Sequence, residues 1–110
     1  MKNPKFEVFK SEKSGQFYFR LKAVNGQIIL SSEGYSSKQG CINGVESVKK
    51  NAPDDANYER KDGENFSFTL KAKNKETIGK SESYTTKVAR ENGIDSVKKN
   101  APESPIEELL

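Results

Sequence analysis

Ser47 and Ser96 each follow an acidic residue, Glu46 and Asp95, and Tyr35 and Tyr84 each stand two residues after a glutamate, Glu33 and Glu82. These four hydroxyls are the chain's most regular candidates for nucleophilic chemistry. A serine or tyrosine nucleophile needs a base within hydrogen-bond reach to take its proton. The chain has no histidine, so the usual base near neutral pH is missing, along with the commonest neutral metal ligand. The one cysteine, Cys41, can form neither an internal disulfide nor a multi-cysteine zinc site. Asp54, Asp55 and Asp62 lack the spacing of a calcium loop. Neither the phosphate-binding pattern G-x-x-x-x-G-K-[ST] nor the dinucleotide pattern G-x-G-x-x-G occurs. These observations predict a protein that is not an enzyme, with no catalytic, metal-binding or cofactor-binding residues and no cofactor.

The elements that would position these groups come twice. Shifting the chain by 49 positions aligns Phe17–Pro53 with Phe66–Pro102 without a gap, and 20 of the 37 positions are identical. Within each copy the hydrophobic period changes halfway. Phe17, Phe19, Leu21 and Ala23 alternate with polar residues, as do Phe66, Phe68, Leu70 and Ala72, and Phe6 and Val8 do so upstream; this is strand periodicity. Asn25-Gly26 and Asp62-Gly63 are strong signals for two-residue hairpin turns, and Asn74-Lys75 is a weaker one. After Tyr35 the period becomes helical. Ser36 can cap, with Gln39 in capping-box spacing, and Cys41, Val45, Val48 and Ala52 then form one stripe. The second stripe is read as Ala89, Ile94, Val97 and Ala101. Lys49-Lys50 and Lys98-Lys99 complement the negative helix end, and Pro53 and Pro102 stop each helix. Glycine within a helix costs about 1 kcal/mol relative to alanine. Its retention in Asn43-Gly44 and Asn92-Gly93 therefore implies a close approach of the helix backbone to the sheet or to the other helix, and leaves room for a ligand cleft there. Cys41 should be a small buried hydrophobe, and Tyr35 and Tyr84 should anchor the helix entrances.

The string Ser-Glu-x-Tyr, then Lys, then Asn-Gly-[Val/Ile]-[Glu/Asp]-Ser-Val-Lys-Lys-Asn-Ala, present in both copies, resembles the YegP-like family, a bacterial and archaeal domain of unknown function. The resemblance covers nearly the whole chain. It implies a β(3)-α-β unit that occurs singly in dimers or twice in one chain, with two units sharing one sheet and exchanging C-terminal strands. It implies no activity. The second copy departs from the first at Gly79, against Leu30, and at Arg90, against Cys41. The tail Pro105–Leu110 reads as a last strand by that resemblance, while its own spacing also fits a helical turn.

The chain is thus expected to be an α+β domain, 1–110, of two tandem β-β-β-α(-β) repeats, 1–56 and 57–110. One antiparallel sheet carries two helices on one face, with pseudo-twofold symmetry. A single unit of about 50 residues buries too little apolar surface to be more than marginal, so the chain should be a monomer whose second repeat fills a partner's place. With a two-residue turn at Asn25-Gly26, Lys22 falls opposite Ile29. The face away from the helices then carries Tyr18, Arg20, Lys22, Val24 and Ile29 in one copy and Ser67, Thr69, Lys71, Lys73 and Ile78 in the other. Tyr18, Arg20, Lys22, Lys71 and Lys73 there form a candidate anionic-ligand surface, able to track a phosphate backbone and stack a base. A net charge of +3 makes any such contact weak. An N-terminus without an apolar stretch and a lone thiol point to the cytoplasm, and no run is long enough to enter a membrane. The expected function is a non-enzymatic binding or assembly module whose partner is nucleic acid, contacted without sequence preference, or protein. The rival reading is a structural or stress-associated protein with protein partners only.

Overall fold

The computed structural model describes residues 2–110; Met1, the first residue of the N-terminal stretch read above, lies outside them. Strand β1 (Lys5–Lys10), β2 (Phe17–Lys22), β3 (Ile28–Ser31) and helix α1 (Lys38–Asn51) make the first half. Strand β4 (Tyr58–Lys61), β5 (Ser67–Lys71), β6 (Thr77–Lys80), helix α2 (Lys87–Asn100) and β7 (Ile106–Glu108) make the second. The seven strands form one sheet in the order β4-β5-β6-β3-β2-β1-β7. Every pairing is antiparallel except β1 with β7, which is parallel. The sheet is therefore mixed, because β7 is delivered by a helix crossover rather than a hairpin. The tail is a strand, and it crosses to the first half. β4 likewise follows α1 and joins the edge of the second half.

Both helices start on a hydroxyl cap, which in α1 lies one residue after the Ser36 that the sequence pattern suggested. Ser37 accepts from the Gly40 amide and Thr86 from the Ala89 amide. Gln39 instead donates to the Asn43 side chain. The stripe Cys41, Val45, Val48 and Ala52 is fully buried, with Phe6, Val8, Phe19, Leu21, Leu30, Phe68, Leu70, Ile94, Val97 and Ala101. Phe17 and Phe66 are only half-buried, since Phe17 begins β2, Phe66 immediately precedes β5, and each pairs with Tyr35 or Tyr84 at the rim. In the second helix the residue at the Cys41 position is Arg90, buried where the sequence stripe had taken half-buried Ala89.

The hairpin turns differ from the two-residue form. Ala23 N–H donates to the Gln27 carbonyl and Gly26 N–H to that of Ala23, and only Gly26 among the turn residues has positive φ, at 84°. This is a three-residue turn with a bulge. Lys75 takes the same left-handed position in the second copy, at 69°. The register shifts after Leu21, so that Lys22 lies opposite Ile28, and Ile29 is buried instead of joining a solvated face. Asp62-Gly63 is not a tight turn: β4 and β5 are joined by residues 62–66, Gly63 is not among the positive-φ residues, and Asp62 instead holds Arg90.

The helix glycines have the reason that the sequence suggested. A Cβ on Gly44 or Gly93 would run into the hydroxyl of Tyr35 or Tyr84, which each ring places beneath its helix. Gly79 has a different neighbour. A Cβ there would lie 2.6 Å from a Leu30 methyl and 2.7 Å from its Cγ. Leu30 of the first copy fills the space that an equivalent leucine at 79 would need.

Gly79→Ala should overpack this contact and cost about 1–3 kcal/mol, and Leu30→Ala should cost about 2–5 kcal/mol. In the double variant the two costs should not add, because the smaller side chain relieves the clash; urea titration of the four proteins measures the coupling. Phe19→Ala and Phe68→Ala should each cost about 3–5 kcal/mol, with both halves unfolding in a single transition by hydrogen exchange.

Candidate functional site

The sheet face away from the helices is crossed by one cross-strand row: Glu59, Thr69, Lys80, Ser31, Arg20, Glu7 and Glu107. Strand alternation places Tyr18, Arg20 and Lys22 on this face in the first half and Lys71 in the second. Lys73 is not among them; it lies beyond β5 in the β5–β6 turn.

The structure gives the cations of this face internal counter-ions. Arg20 Nε donates to Glu7 Oε1 at 2.7 Å, Lys22 Nζ stands 3.3 Å from the same oxygen, and Lys5 Nζ is 3.4 Å from Oε2. Lys71 pairs with Glu59 at 3.2 Å and Lys80 with Glu33 at 3.0 Å. Glu7 is 4% exposed. Burial works to raise its pKa, but hydrogen bonds and charge from Arg20 and Lys22 outweigh that and hold it below the ordinary value. Tyr18 stacks on Phe9 with ring centres 5.8 Å apart, and the Arg20 guanidinium lies 4.6 Å over the Phe9 ring. The face is thus a neutralised surface with one aromatic pair.

The hydroxyl candidates are bound up in structure. The Tyr35 and Tyr84 hydroxyls lie under Gly44 and Gly93, and burial raises both pKa values. Ser47 and Ser96 accept from the amides of Asn51 and Asn100 at 3.3 and 3.1 Å. Burial pushes the Cys41 thiol up to about 11, so it is protonated at neutral pH. Among the described residues no group of three or more potential metal-ligating His, Cys, Asp or Glu side chains forms, and no helix is long and apolar enough to cross a membrane.

Two clefts stand apart from these. One, of about 470 Å³, lies between the turn Ala23-Val24-Asn25 and the α2 residues Asn92, Asp95, Ser96, Lys99 and Asn100. The other, of about 440 Å³, lies between Ala72-Lys73-Asn74 and the α1 residues Asn43, Glu46, Ser47, Lys50 and Asn51. The helix residues recur at i, i+3, i+4, i+7 and i+8, one polar stripe beside the buried one. Each cleft joins the hairpin of one repeat to the helix of the other, and the two linings match position for position at the 49-residue offset. Six of the eight pairs are identical, Asp95 against Glu46 is conservative, and Val24 against Lys73 is the one real difference. Lys50 and Asn43 stood out in the sequence, as part of a basic pair and as a helix position beside glycine. Their pairing with the other repeat's turn was hidden, because it follows from the sheet order.

The comparisons with known proteins agree on what this architecture is. The domain of unknown function DUF1508 matches the chain twice, over residues 12–59 and 61–108. The chain belongs to the DUF1508 family. It is 71% identical over 56 residues to a UPF0339 protein encoded in the 5′ region of the ptx operon of Stutzerimonas stutzeri, covering 51% of this chain and 50% of that one. A UPF0339 protein of Treponema denticola is 58% identical over 55 residues, half of this chain but 93% of that one, so a single repeat accounts for nearly all of it. The match thus spans about half the length of the Stutzerimonas relative. Among solved structures, the solution NMR structure of YegP from E. coli, described as a protein of unknown function, is similar with a TM-score of 0.90 and 41% identity over 99% of this chain and 95% of that one. A UPF0339 protein of Shewanella oneidensis gives 0.89 and 43%, over 96% and 90%. The expected resemblance, the two repeats and the α+β fold are all shown; these relatives carry no assigned activity.

Half two also contains a charged cluster that sequence reading did not identify. Arg60 donates to Glu91 at 3.0 Å and to Asp55 at 3.0 Å, Lys98 donates to Asp55 at 2.6 Å, and buried Arg90 pairs with Glu91 and Asp62. Hydrogen bonds from Arg60 and Lys98 lower the Asp55 carboxyl from 3.8 to about 2. A carboxyl lowered by folding adds stability above its unfolded pKa, and that contribution disappears as the pH falls through the folded one. The Asp55 contribution should therefore be lost between about pH 4 and 2. Carboxyl NMR titration should place Asp55 near the lower end. Asp55→Asn should flatten acid unfolding in that window, and added salt should shrink the effect, since the group is solvent-facing.

Proposed function

We propose that the protein is a non-enzymatic binding module, monomeric, whose binding elements are the two clefts. The observation that carries this reading is the difference between two surfaces under the same duplication. The cleft linings keep six of eight residues between copies, whereas the open sheet face keeps Lys22/Lys71 but changes Tyr18 to Ser67, Arg20 to Thr69 and Ser31 to Lys80. Asn51 knits the end of its helix and is buried, so its retention is structural. Asn43, Glu46 and Lys50 are exposed, and their partners in the second copy, Asn92, Asp95 and Lys99, are exposed too. A packing constraint does not account for keeping these. The enzymatic alternative lacks an activated nucleophile: Ser47 and Ser96 accept structural hydrogen bonds, the Tyr35 and Tyr84 hydroxyls are packed under the helix glycines, and the thiol is buried and protonated. Fragment screening by amide NMR, over a library of small polar molecules, tests the reading. Shifts that cluster at both clefts support it, and shifts elsewhere or none at all refute it.

A second reading is favoured by the stacked Phe9–Tyr18 pair: weak contact of single-stranded nucleic acid with Tyr18, Arg20, Lys22 and Lys71, with Lys73 at the margin. Four phosphate contacts to a single strand give a salt slope near −3, from about −0.7 per contact. Because Glu7 and Glu59 already neutralise Arg20, Lys22 and Lys71, the first reading expects a slope shallower than −1. Labelled single-stranded RNA titrated at two salt concentrations separates them. In this second reading Tyr18→Ala should cost about 1–3 kcal/mol of binding.

A further inference from the structure

From the same clefts we infer a ligand class: the α-amino-acid zwitterion, a small molecule with an ammonium and a carboxylate a few ångströms apart. The inference rests on the reading of the clefts as binding elements. Each cleft presents one acid and one base on neighbouring turns of one helix, Glu46 with Lys50 and Asp95 with Lys99. Residues four apart on a helix have Cβ atoms about 5–6 Å apart and readily close into an ion pair. Neither pair is closed, and among the described residues none of the four makes an ion pair. Ten cations, Lys5, Arg20, Lys22, Lys38, Arg60, Lys71, Lys80, Lys87, Arg90 and Lys98, hold a carboxylate within 4.0 Å, whereas Lys50 and Lys99, like Lys49 and Lys73, hold none among the described residues and stay open to solvent or ligand. An acid and a base held apart on one wall of a cleft match a ligand that carries the opposite pair.

The acid also says which ligands do not fit. A phosphate or a polyanion would meet Lys50 and Lys99 but be repelled by Glu46 and Asp95, and a simple cation would meet the reverse. Only a ligand of both signs satisfies both groups. The remaining polar lining suits the same chemistry. Asn43 and Asn92 sit one turn before the acids, and across each cleft the turn supplies Asn74 or Asn25. Their side chains turn one oxygen inward to the turn backbone, accepting from Glu76 N–H and Gln27 N–H at 3.0 Å. The one non-conservative difference, Lys73 against Val24, lies on the turn wall, opposite the helix. It reads what extends from the zwitterion. The Lys73 cleft should prefer an acidic side chain and the Val24 cleft an aliphatic one.

Amide NMR titration of the whole chain with glycine, glutamate and valine tests this. Glycine should shift residues of both clefts, in fast exchange, with glutamate favouring the Lys73 cleft and valine the Val24 cleft. N-acetylglycine amide, which keeps the N–Cα–C core but carries no charge, should shift neither. Glu46→Gln should weaken glycine binding at its own cleft at least tenfold and leave the other unchanged, and Asp95→Asn should do the converse. Both sites are exposed and unpaired, so both variants should keep the fold, which the unshifted core amides verify. Equal shifts from the neutral analogue, or shifts that survive Glu46→Gln, overturn the zwitterion while leaving the clefts as binding elements. Cleft shifts from inorganic phosphate alone do the same. If none of these probes nor any polar fragment shifts either cleft, the zwitterion and the cleft reading fall together.

Discussion

The structure depends on how two half-sheets are joined, and the join is made by side chains. β3 and β6 meet in the ladder only where Ser31 stands opposite Lys80, so at the centre of the sheet backbone hydrogen bonding does little to hold the two half-sheets. The connection is made above the sheet. α1 packs on β1 and β2 of its own half and on β5 and β6 of the other, and α2 packs on β3 and β5. The strand that follows each helix then joins the far edge. Neither repeat can therefore bury its apolar face without the other, which is the physical reason for expecting a single cooperative unit from a chain with so few apolar residues.

The second half solves its edge differently from the first. In half one, β7 covers β1: Lys5 meets Glu107 and Lys38 meets Glu108, both at 2.6 Å, and Ile106 packs against the core. In half two β4 is itself the last strand. The positions that lie under β7 in half one are changed accordingly. Val8 becomes Arg60, judged by their partners Phe19 and Phe68, while Cys41 becomes Arg90 and Ile42 becomes Glu91. Apolar side chains that a strand would cover are replaced by an ion-pair network that water can reach. A short, charged edge strand resists pairing with another chain, and Arg90 buries its guanidinium only because Asp62, Glu91 and the Lys61 carbonyl receive it.

Much of this was legible in the residues. The repeat and its periodicities located both helices, every strand but β7, with β4 read to its exact bounds at Tyr58–Lys61, and most of the core, because alternation and helical stripes are direct images of burial. The misreadings share a cause, namely geometry that a repeat alignment alone does not reveal. Asn25-Gly26 looks like a two-residue turn, yet the bulge after Leu21 lengthens it and moves Ile29 into the interior. The second stripe reads through Ala89, although the offset puts Arg90 at the Cys41 position, where it is buried. The open sheet face was correctly assembled for Tyr18, Arg20, Lys22 and Lys71, but Glu7, which neutralises it, sits on a strand whose pairing had not been derived. The clefts were least visible, since each is made from residues about 70 or 30 positions apart on different repeats.

Covalent duplication permits what a symmetric dimer of one repeat does not. Residues 30 and 79 are equivalent, and they meet beside the pseudo-twofold axis. In a dimer of identical units both would be the same residue: two leucines compete for one space, and two glycines leave it empty. The tandem chain places Leu30 against Gly79, which fills that space once. The same freedom explains how the edges diverged, with β7 on one side and charges on the other, while the exposed residues of the clefts were kept in register. Asn43 and Lys50, kept as Asn92 and Lys99, are exposed in both copies, and the proposed binding role rests on them; Leu30 against Gly79 belongs to stability.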